Sequence, residues 1–364
     1  MLSIHFEQPL RATRKTKEAG MSEQILLDDG SGGKASQRLI HNLFVRYFAN
    51  EMLASMDDAA LLHISGPIAM STDGYTVDPV EFPGGNIGSL AVHGTVNDVS
   101  MLGARPKFLS AAFILEEGLD RDLLERIVRA MAEAAQEAGV FIVTGDTKVV
   151  PRGTADKIFI TTTGIGEILT PTPPSGANAK PGDVVLISGT MGDHGLTILA
   201  QREGLSLSSD VKSDCASLNR MAEALVTGLP HVHVLRDPTR GGLATTLNEI
   251  AAQSGVAIIL KEKDLPVRPE VAAGCAVLGL EPLYLANEGK LLCVVPEKDT
   301  DMALTIMRRF PQGEECAMVA RVYDASTTDA LLPAMKAGQV LLETGIGGHR
   351  LLGMLEGEQL PRIC

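Results

Sequence analysis

Tryptophan is absent from the chain, and aromatics make up only 4% of its 364 residues. Rows of aromatic rings on which nucleic-acid bases stack are therefore not expected. Positive charge is in deficit too: 32 lysines and arginines face 45 aspartates and glutamates, for a net charge of −13. That balance opposes binding to nucleic acid or to an anionic membrane, and it suits a protein that holds metal cations in carboxylates. No apolar run reaches the about 18 residues of a membrane span. Five cysteines, Cys215, Cys275, Cys293, Cys316 and Cys364, lie scattered with no C-x-x-C pair. This argues against a disulfide framework or a zinc ribbon and for a reducing cytoplasm. Cys275, Cys293 and Cys316 sit among apolar neighbours and read as buried and inert. The P-loop signature, a G-x-G-x-x-G after a strand and the G-x-S-x-G elbow are all missing, which disfavours the common nucleotide folds and the serine hydrolases.

What is present points to two domains. The length gives that expectation, and 45% apolar with 21% charged residues can bury a sizeable core. The clearest break is PTPPSGANAKPGD at 171–183, rich in Pro, Gly and small residues. It separates an N-terminal domain, 22–172, from a C-terminal domain, 173–344. Strand and helix patterns alternate on both sides, an α/β reading. Residues 345–364 hold five glycines and no sustained apolar period, so they read as a mobile tail ending in Cys364. Residues 1–21 include Arg11, Arg14, Lys15 and Lys17 with no apolar core behind them, unlike a secretory signal. They read as a disordered extension, with Met21 as the effective start.

Acids recur where strands and helices meet loops. GSGGK (30–34) precedes a helical pattern from Ala35 to Phe48. Gly32, Gly33 and their neighbours expose backbone N–H groups ahead of a helix, as a phosphate cradle does, and Lys34 adds a cation; a flexible loop satisfies the same residues. Asp57 and Asp58 stand together in a loop. Asp73 ends an apolar run, with Asp78 and Glu81 after it. Acids repeated at strand ends suit magnesium, which takes oxygens from carboxylates and phosphates together. On the helix expected over 86–102, Ile87, Leu90, Ala91, Gly94, Met101 and Leu102 form one stripe, and Asp98 falls near its centre. A carboxylate there needs a cation or a buried salt bridge; Asn97 beside it offers another ligand or a hydrogen bond. A helix over 121–138 stops at Gly139. FIVTGDTKVV (141–150) reads as a buried strand emptying into a Gly145-Asp146-Thr147-Lys148 turn. That turn would set a metal ligand beside a phosphate cation; an ordinary β-turn uses the same residues.

In the second half, GTMGDHG (189–195) precedes a helix, and His194 there fits a phosphate contact, a cap or a surface position. Residues 208–228 read as a helix. His231 and His233 face one side of an extended segment without a further ligand, so they do not read as a metal site. Asp237 stands at the mouth of a loop-to-helix junction with Gly241 and Gly242, and Glu288 lies just before a buried strand in ANEGKLLCVV (286–295). A thiol on the final residue can be carried into another site, and thiolate is its reactive form; a frayed terminus that ends in Cys is the plainer reading. From residues alone, this is an acidic two-domain α/β protein that uses Mg²⁺ and a phosphorylated ligand.

Taken together, GSGGKAS (30–36), STDGYTVDPVEFPGGNIG (71–88), GTVNDVSMLGARP (94–106), GDTKVV (145–150), SGTMGDHG (188–195), RDPTRGGLATTLNEIA (236–251), ANEGK (286–290) and the terminal PRIC (361–364) resemble the HypE family of hydrogenase maturation factors. That family belongs to the superfamily of aminoimidazole ribonucleotide synthetase and selenophosphate synthetase. The likeness runs from about Gln24 to Cys364, and the terminal PRIC separates this family from its relatives.

The resemblance implies an N-terminal α/β domain that pairs with its copy into a β-barrel homodimer, followed by a C-terminal α/β domain. It implies a carbamoyl dehydratase. The carbamoyltransferase HypF loads a carbamoyl group on the terminal thiol, ATP drives its dehydration to a thiocyanate, and the cyano group passes to iron on a HypC–HypD complex for [NiFe]-hydrogenase. Carried onto this sequence, the likeness implies metal and phosphate binding by Asp57 or Asp58, Asp73, Asp98, Asp146 and Asp237. Gly32, Gly33, Lys34, Thr95, Asn97 and Asp146 would line the nucleotide. Lys148 would stabilise transferring charge, Glu288 would take protons from the amide nitrogen, and Cys364 would hold the substrate. A superfamily enzyme acting on a free metabolite has no use for the terminal thiol. A non-catalytic ATP-binding scaffold has none for the set of acids with Lys148.

Overall fold

Two sheets organise the chain, one on each side of the break at 171–183. The computed structural model describes residues 23–364 apart from 206–210, 328–332, 356 and 358–360; the expected extension over 1–21 lies outside the described residues. The N-terminal half runs through α1 (Lys34–Leu39), α2 (Arg46–Phe48), α3 (Glu51–Ala54), β1 (Ile68–Tyr75), the short β2 (Glu81–Phe82) and β3 (Gly85–Asn86), α4 (Ile87–Met101), β4 (Ala104–Glu116), α5 (Arg121–Ala138), β5 (Phe141–Val150) and β6 (Ile158–Ile168). The C-terminal half comprises β7 (Asp183–Ile187), α6 (Asp193–Arg202), α7 (Asn219–Gly228), β8 (Val234–Arg236), α8 (Gly242–Ser254), β9 (Ala257–Lys261), α9 (Pro269–Leu278), β10 (Leu292–Pro296), α10 (Thr300–Met307), β11 (Ala317–Tyr323), β12 (Val340–Glu343) and β13 (His349–Leu351).

The first sheet has the order β1-β6-β4-β5. From Phe108 to Glu116 in β4 the odd-numbered residues Leu109, Ala111, Phe113 and Leu115 are buried and the even-numbered ones are not, the alternation of a sheet covered on one side. The cover is α4 and α5. α5 follows its sequence pattern: Leu124, Ile127, Val128, Met131, Ala135 and Ala138 are buried, Asp120 caps the start, and Gly139 at φ 73° ends it. α4 departs from the expected stripe. All of its residues except Ser89 and Asp98 are buried, because the C-terminal domain packs on the side the sheet leaves free. The other face of the sheet carries an apolar row across all four strands: Met70 opposite Ile165, Ile165 opposite Phe108, Phe108 opposite Phe141. Met70 is 63% exposed and Phe141 43%.

The second sheet has the order β13-β12-β9-β11-β7-β10-β8. Its interior strand β7 explains the apolar run at 184–187. Val184 and Leu186 point into one core with Leu225 and Met307, and Val185 and Ile187 into another with Leu247 and Ile250. Both faces are covered, so the run does not alternate.

Three expectations change. β5 runs unbroken through Gly145 to Val150, with no turn at Asp146. Gly145 is there for closeness: a Cβ on it would lie 2.3 Å from the Ala111 carbonyl oxygen of β4. The helix expected over 208–228 forms only from Asn219. Ahead of it, residues 211–218 run without helix, tied to other segments by Ser213 N–H to the Pro83 carbonyl and by the Asp214 carboxylate accepting from Glu288 N–H. The tail is not free from 345 onward either: β13 pairs with β12, and Leu352 is fully buried against the second sheet.

Candidate active site

The residues singled out in the sequence gather at two places on the first sheet. The first is a cavity of about 430 Å³ at its β5 edge, within the size range of a small-molecule site. Phe44, Phe48 and Met52 give it an apolar wall, and Ser31, Gly32, Asp57, Asp146 and Lys148 a polar rim. Gly32 donates its N–H to Ser36 Oγ at 2.8 Å, which fixes the loop against the helix that follows. Lys148 Nζ sits 2.7 Å from both Asp146 oxygens, and that bond holds the Asp146 carboxyl below its ordinary range. The two side chains share a face because β5 stays extended and they are two residues apart.

The second place is at the β1 edge, where α4 meets the C-terminal domain. The Asp98 and Asp237 carboxyls lie close enough there for each to shift the other's titration. Burial raises Asp98, with the Asp73 charge adding to it, while Ser71 Oγ–H, donated at 2.8 Å, holds it back. Burial and the Asp98 charge push Asp237 up to about 7. Two such interacting carboxyls do not both ionise cheaply, so their titrations are linked. Glu288 lies beside them, 4% exposed, and its Oε1 has no hydrogen-bond partner among the described residues. Burial first, then Asp214 and Asp237, push its carboxyl well above the usual range.

Into this second place comes the end of the same chain. Ile363 is 4% exposed and belongs to the N-terminal core. The Cys364 thiol is pushed up to about 12, by burial first and then by Glu288. All four terminal carbonyls accept hydrogen bonds. Arg202 Nη1 donates to Pro361 O at 2.7 Å and its Nη2 to Arg362 O at 2.9 Å. His194 Nε2 lies 2.8 Å from Ile363 O, and Thr76 N–H donates to Cys364 O at 3.0 Å.

The six candidate metal acids therefore do not form one cluster. Asp146 pairs across the sheet with Ala112, Ala112 with Thr161, and Thr161 with Gly74, the residue after Asp73. Three strand spacings, about 14 Å, lie between the edges. Asp57 joins Asp146 at the cavity, whereas Asp58 is exposed and does not line it. Among the described residues no group of three or more His, Cys, Asp or Glu is placed to hold an ion unaided. Lys34 is exposed on the first turn of α1, and neither it nor Gly33 lines the cavity. Lys148 stands at the opposite edge from Cys364 and Glu288.

Thr95 and Asn97 are spoken for inside the protein. Thr95 Oγ1 bonds to Thr162 and Tyr75. Asn97 donates to the Ala216 carbonyl at 3.0 Å and accepts from Leu218 N–H at 2.8 Å, which secures the segment before α7. His194 is not at the surface: in the first turn of α6, just after Gly192, it is fully buried against the tail. Cys275, Cys293 and Cys316 are buried, and burial raises all three thiols. Sequence reasoning missed Thr76, Arg202 and Asp214. Arg202 and Asp214 stand in no glycine-rich turn, Thr76 between Asp73 and Asp78 carries no charge of its own, and the signal for all three was the terminal PRIC, which needs something to receive it.

The AIR synthase related protein family matches in two parts, its N-terminal domain over residues 56–168 and its C-terminal domain over 180–331. The carbamoyl dehydratase HypE of Azotobacter vinelandii is 50% identical over 336 residues, 92% of this chain and 96% of that relative. Among solved structures, a hydrogenase maturation protein HypE in complex with ATP is similar at a TM-score of 0.90 and 63% identity, covering 93% of this chain and 99% of that one. A chain from a HypE–HypF complex is similar at a TM-score of 0.75 and 47% identity, covering 87% of this chain and 99% of that one.

Proposed function

The chain belongs to the HypE family of carbamoyl dehydratases, and we infer that the group it dehydrates with ATP is carried on its own Cys364. One observation carries this reading: the terminal residues are docked in the chain's own cleft, with Cys364 close enough to the buried Glu288 carboxyl for that charge to raise its thiol. The activity is that of an ATP-dependent carbamoyl dehydratase in hydrogenase maturation. The substrate is the thiocarboxamide R–S–C(=O)–NH₂, and the product is R–S–C≡N. An amide oxygen leaves poorly. Transfer of the ATP γ-phosphoryl to that oxygen turns it into phosphate, and the nitrogen gives up two protons as the triple bond forms. The products are the thiocyanate, ADP and phosphate. Such a reaction asks the protein for positioning and charge neutralisation. Glu288 is the group placed to take an amide proton, because a buried carboxylate with a raised pKa is a strong base once ionised.

The raised, mutually repelling Asp98 and Asp237 carboxyls support a cation there. Two neighbouring half-buried carboxyls suit Mg²⁺, which takes one or two protein carboxylates and completes its shell with water and phosphate oxygens. Asp98 and Asp237 would hold it, with Asp73 adding negative charge, and it would neutralise phosphate charge. Asp146, already neutralised by Lys148, is left to the nucleotide cavity with Gly32 and Asp57.

Loading fits a tail that leaves the cleft. A thiol held near pKa 12 is almost wholly protonated at neutral pH, and the thiolate is the nucleophile. HypF, seen with HypE in a relative's complex, is the carbamoyl donor in this reading, and a HypC–HypD complex is the cyano acceptor. A free terminal thiol and ATP suit a reducing cytoplasm. The test is the mass of the C-terminal peptide after incubation with HypF, carbamoyl phosphate and ATP. A carbamoyl adduct on Cys364 followed by loss of one water is expected when Mg²⁺-ATP is supplied. No adduct on Cys364, with ATP still turned over, would leave a free metabolite as the substrate.

A homodimer belongs to the same reading. The Met70-Ile165-Phe108-Phe141 row is a continuous apolar strip whose two ends, Met70 and Phe141, are exposed, and such strips mark interfaces. A second copy facing it would form a barrel whose seams run along β1 and β5, where the two groups of candidates lie. We expect a dimer by light scattering and a monomer for the Met70→Lys, Phe141→Lys double variant. A wild-type monomer at working concentration would rule the dimer out.

A further inference from the structure

The groups that hold the tail are a separate device from those that act on its sulfur. A carbonyl oxygen can only accept, so the His194 contact to Ile363 O at 2.8 Å puts the ring proton on Nε2. Burial keeps the imidazole neutral by lowering its pKa. Nδ1 is then an acceptor, and Ser213 Oγ–H donates to it at 2.7 Å. Ser213 Oγ in turn accepts Cys215 N–H at 3.1 Å. The imidazole is thus fixed from behind, with one donor aimed at the tail. Arg202 is fixed as well: its Nε and Nη2 donate to Asp78 O at 3.1 and 2.7 Å, and its remaining donors reach Pro361 O and Arg362 O. The docked tail is in turn bent to fit. Arg362 has φ +52°, a left-handed conformation that a non-glycine residue keeps only when its surroundings impose it.

Every contact that His194 and Arg202 make to the tail is to main chain, and none touches the Cys364 sulfur. We propose that His194 and Arg202 are positioning residues, a two-point latch on the main chain of the last four residues that sets Cys364 against Glu288 whatever group its sulfur carries. The latch therefore serves the bare, the carbamoylated and the cyanated tail alike, and it competes with loading, which needs the tail outside. This inference rests on the carrier reading given above.

The test compares Arg202→Met, which keeps the apolar stem, with His194→Leu and with His194→Gln, whose amide N–H can replace the Nε2 donor. Alkylation of Cys364 by iodoacetamide, read on the C-terminal peptide, is expected to speed up about tenfold in Arg202→Met and His194→Leu and to stay near wild type in His194→Gln. Tenfold is the scale of one lost hydrogen bond. With HypF, carbamoyl loading of the first two variants should hold or rise while single-turnover dehydration falls about tenfold. A general structural defect lowers both. Unchanged alkylation in both variants, or loading that falls together with dehydration, overturns the latch. Alkylation needs neither carbamoyl phosphate nor ATP. A positive alkylation result with no dehydration by the wild type therefore counts against the carrier reading and not against the latch.

Discussion

Glu288→Gln is expected to stop at the carbamoylated tail. Cys364 should load normally, ATP should still bind, and the C-terminal peptide should keep the carbamoyl mass with dehydration slowed by about 10²- to 10⁴-fold, the usual reach of a general base. The substitution keeps shape and removes only the ability to accept a proton. Its acidic neighbours Asp214, Asp237, Asp73 and Asp98 can themselves accept a proton, so a residual rate is expected and not a complete loss. A variant that dehydrates within about threefold of wild type would remove Glu288 from the chemistry.

The same substitution has a second readout of opposite sign. Burial and neighbouring acids raise the Glu288 carboxyl well above its ordinary value. A carboxyl with a folded pKa above its unfolded one binds more protons in the folded state. Its contribution is therefore present at low pH and is lost as pH rises from the ordinary carboxylate range toward the raised folded value. Glutamine carries no such penalty. Glu288→Gln should melt higher than wild type at pH 8 and the gap should shrink toward pH 4, measured by thermal unfolding. Gained stability with lost activity is the pattern of a group held against its own preference for the reaction.

How far the sequence reaches can be judged element by element. α5 was legible because its stripe and its terminal glycine are local, and every residue of the stripe is buried as expected. The run at 184–187 was legible as a buried strand. Asp98 was legible as an acid that had to be explained, but its partner Asp237 lies far off in sequence, on the other domain, and no periodicity links them. Asp146 and Lys148 were read as a turn because Gly145 suggested one. The glycine instead answers the closeness of the Ala111 carbonyl, a fact of strand pairing that local pattern does not contain. Asn97 was read as a ligand or a hydrogen bond, and its side chain serves the segment before α7. The tail was hardest. Its glycines suggested freedom, and they do nothing to reveal that Arg202, His194 and Thr76 wait for its carbonyls.

Adding two residues after Cys364 should be nearly as damaging as removing the thiol. Cys364→Ala abolishes carbamoyl loading because nothing remains to carry the group. The extended chain keeps the thiol and should load within a few-fold of normal, since loading takes place away from the cleft. Its dehydration should fall at least about a hundredfold. Misplacing a reacting centre by about 1 Å costs that much, and the docked end has little slack. Cys364 O is held by Thr76 N–H at 3.0 Å and by Thr76 Oγ1 at 3.2 Å. The residue before it is buried in the N-terminal core, and Arg362 is anchored through Asp156 at 2.6 Å and the Thr76 carbonyl at 2.8 Å. Extra chain beyond Cys364 must break one of these anchors or run into the acids at Glu288. The measurement is again the C-terminal peptide: carbamoylated, with its water retained, in the extended protein, and thiocyanate in the wild type. Dehydration of the extended tail at the normal rate would mean that the docked terminus is not the reacting arrangement, and the four carbonyl contacts would then describe a resting tail only.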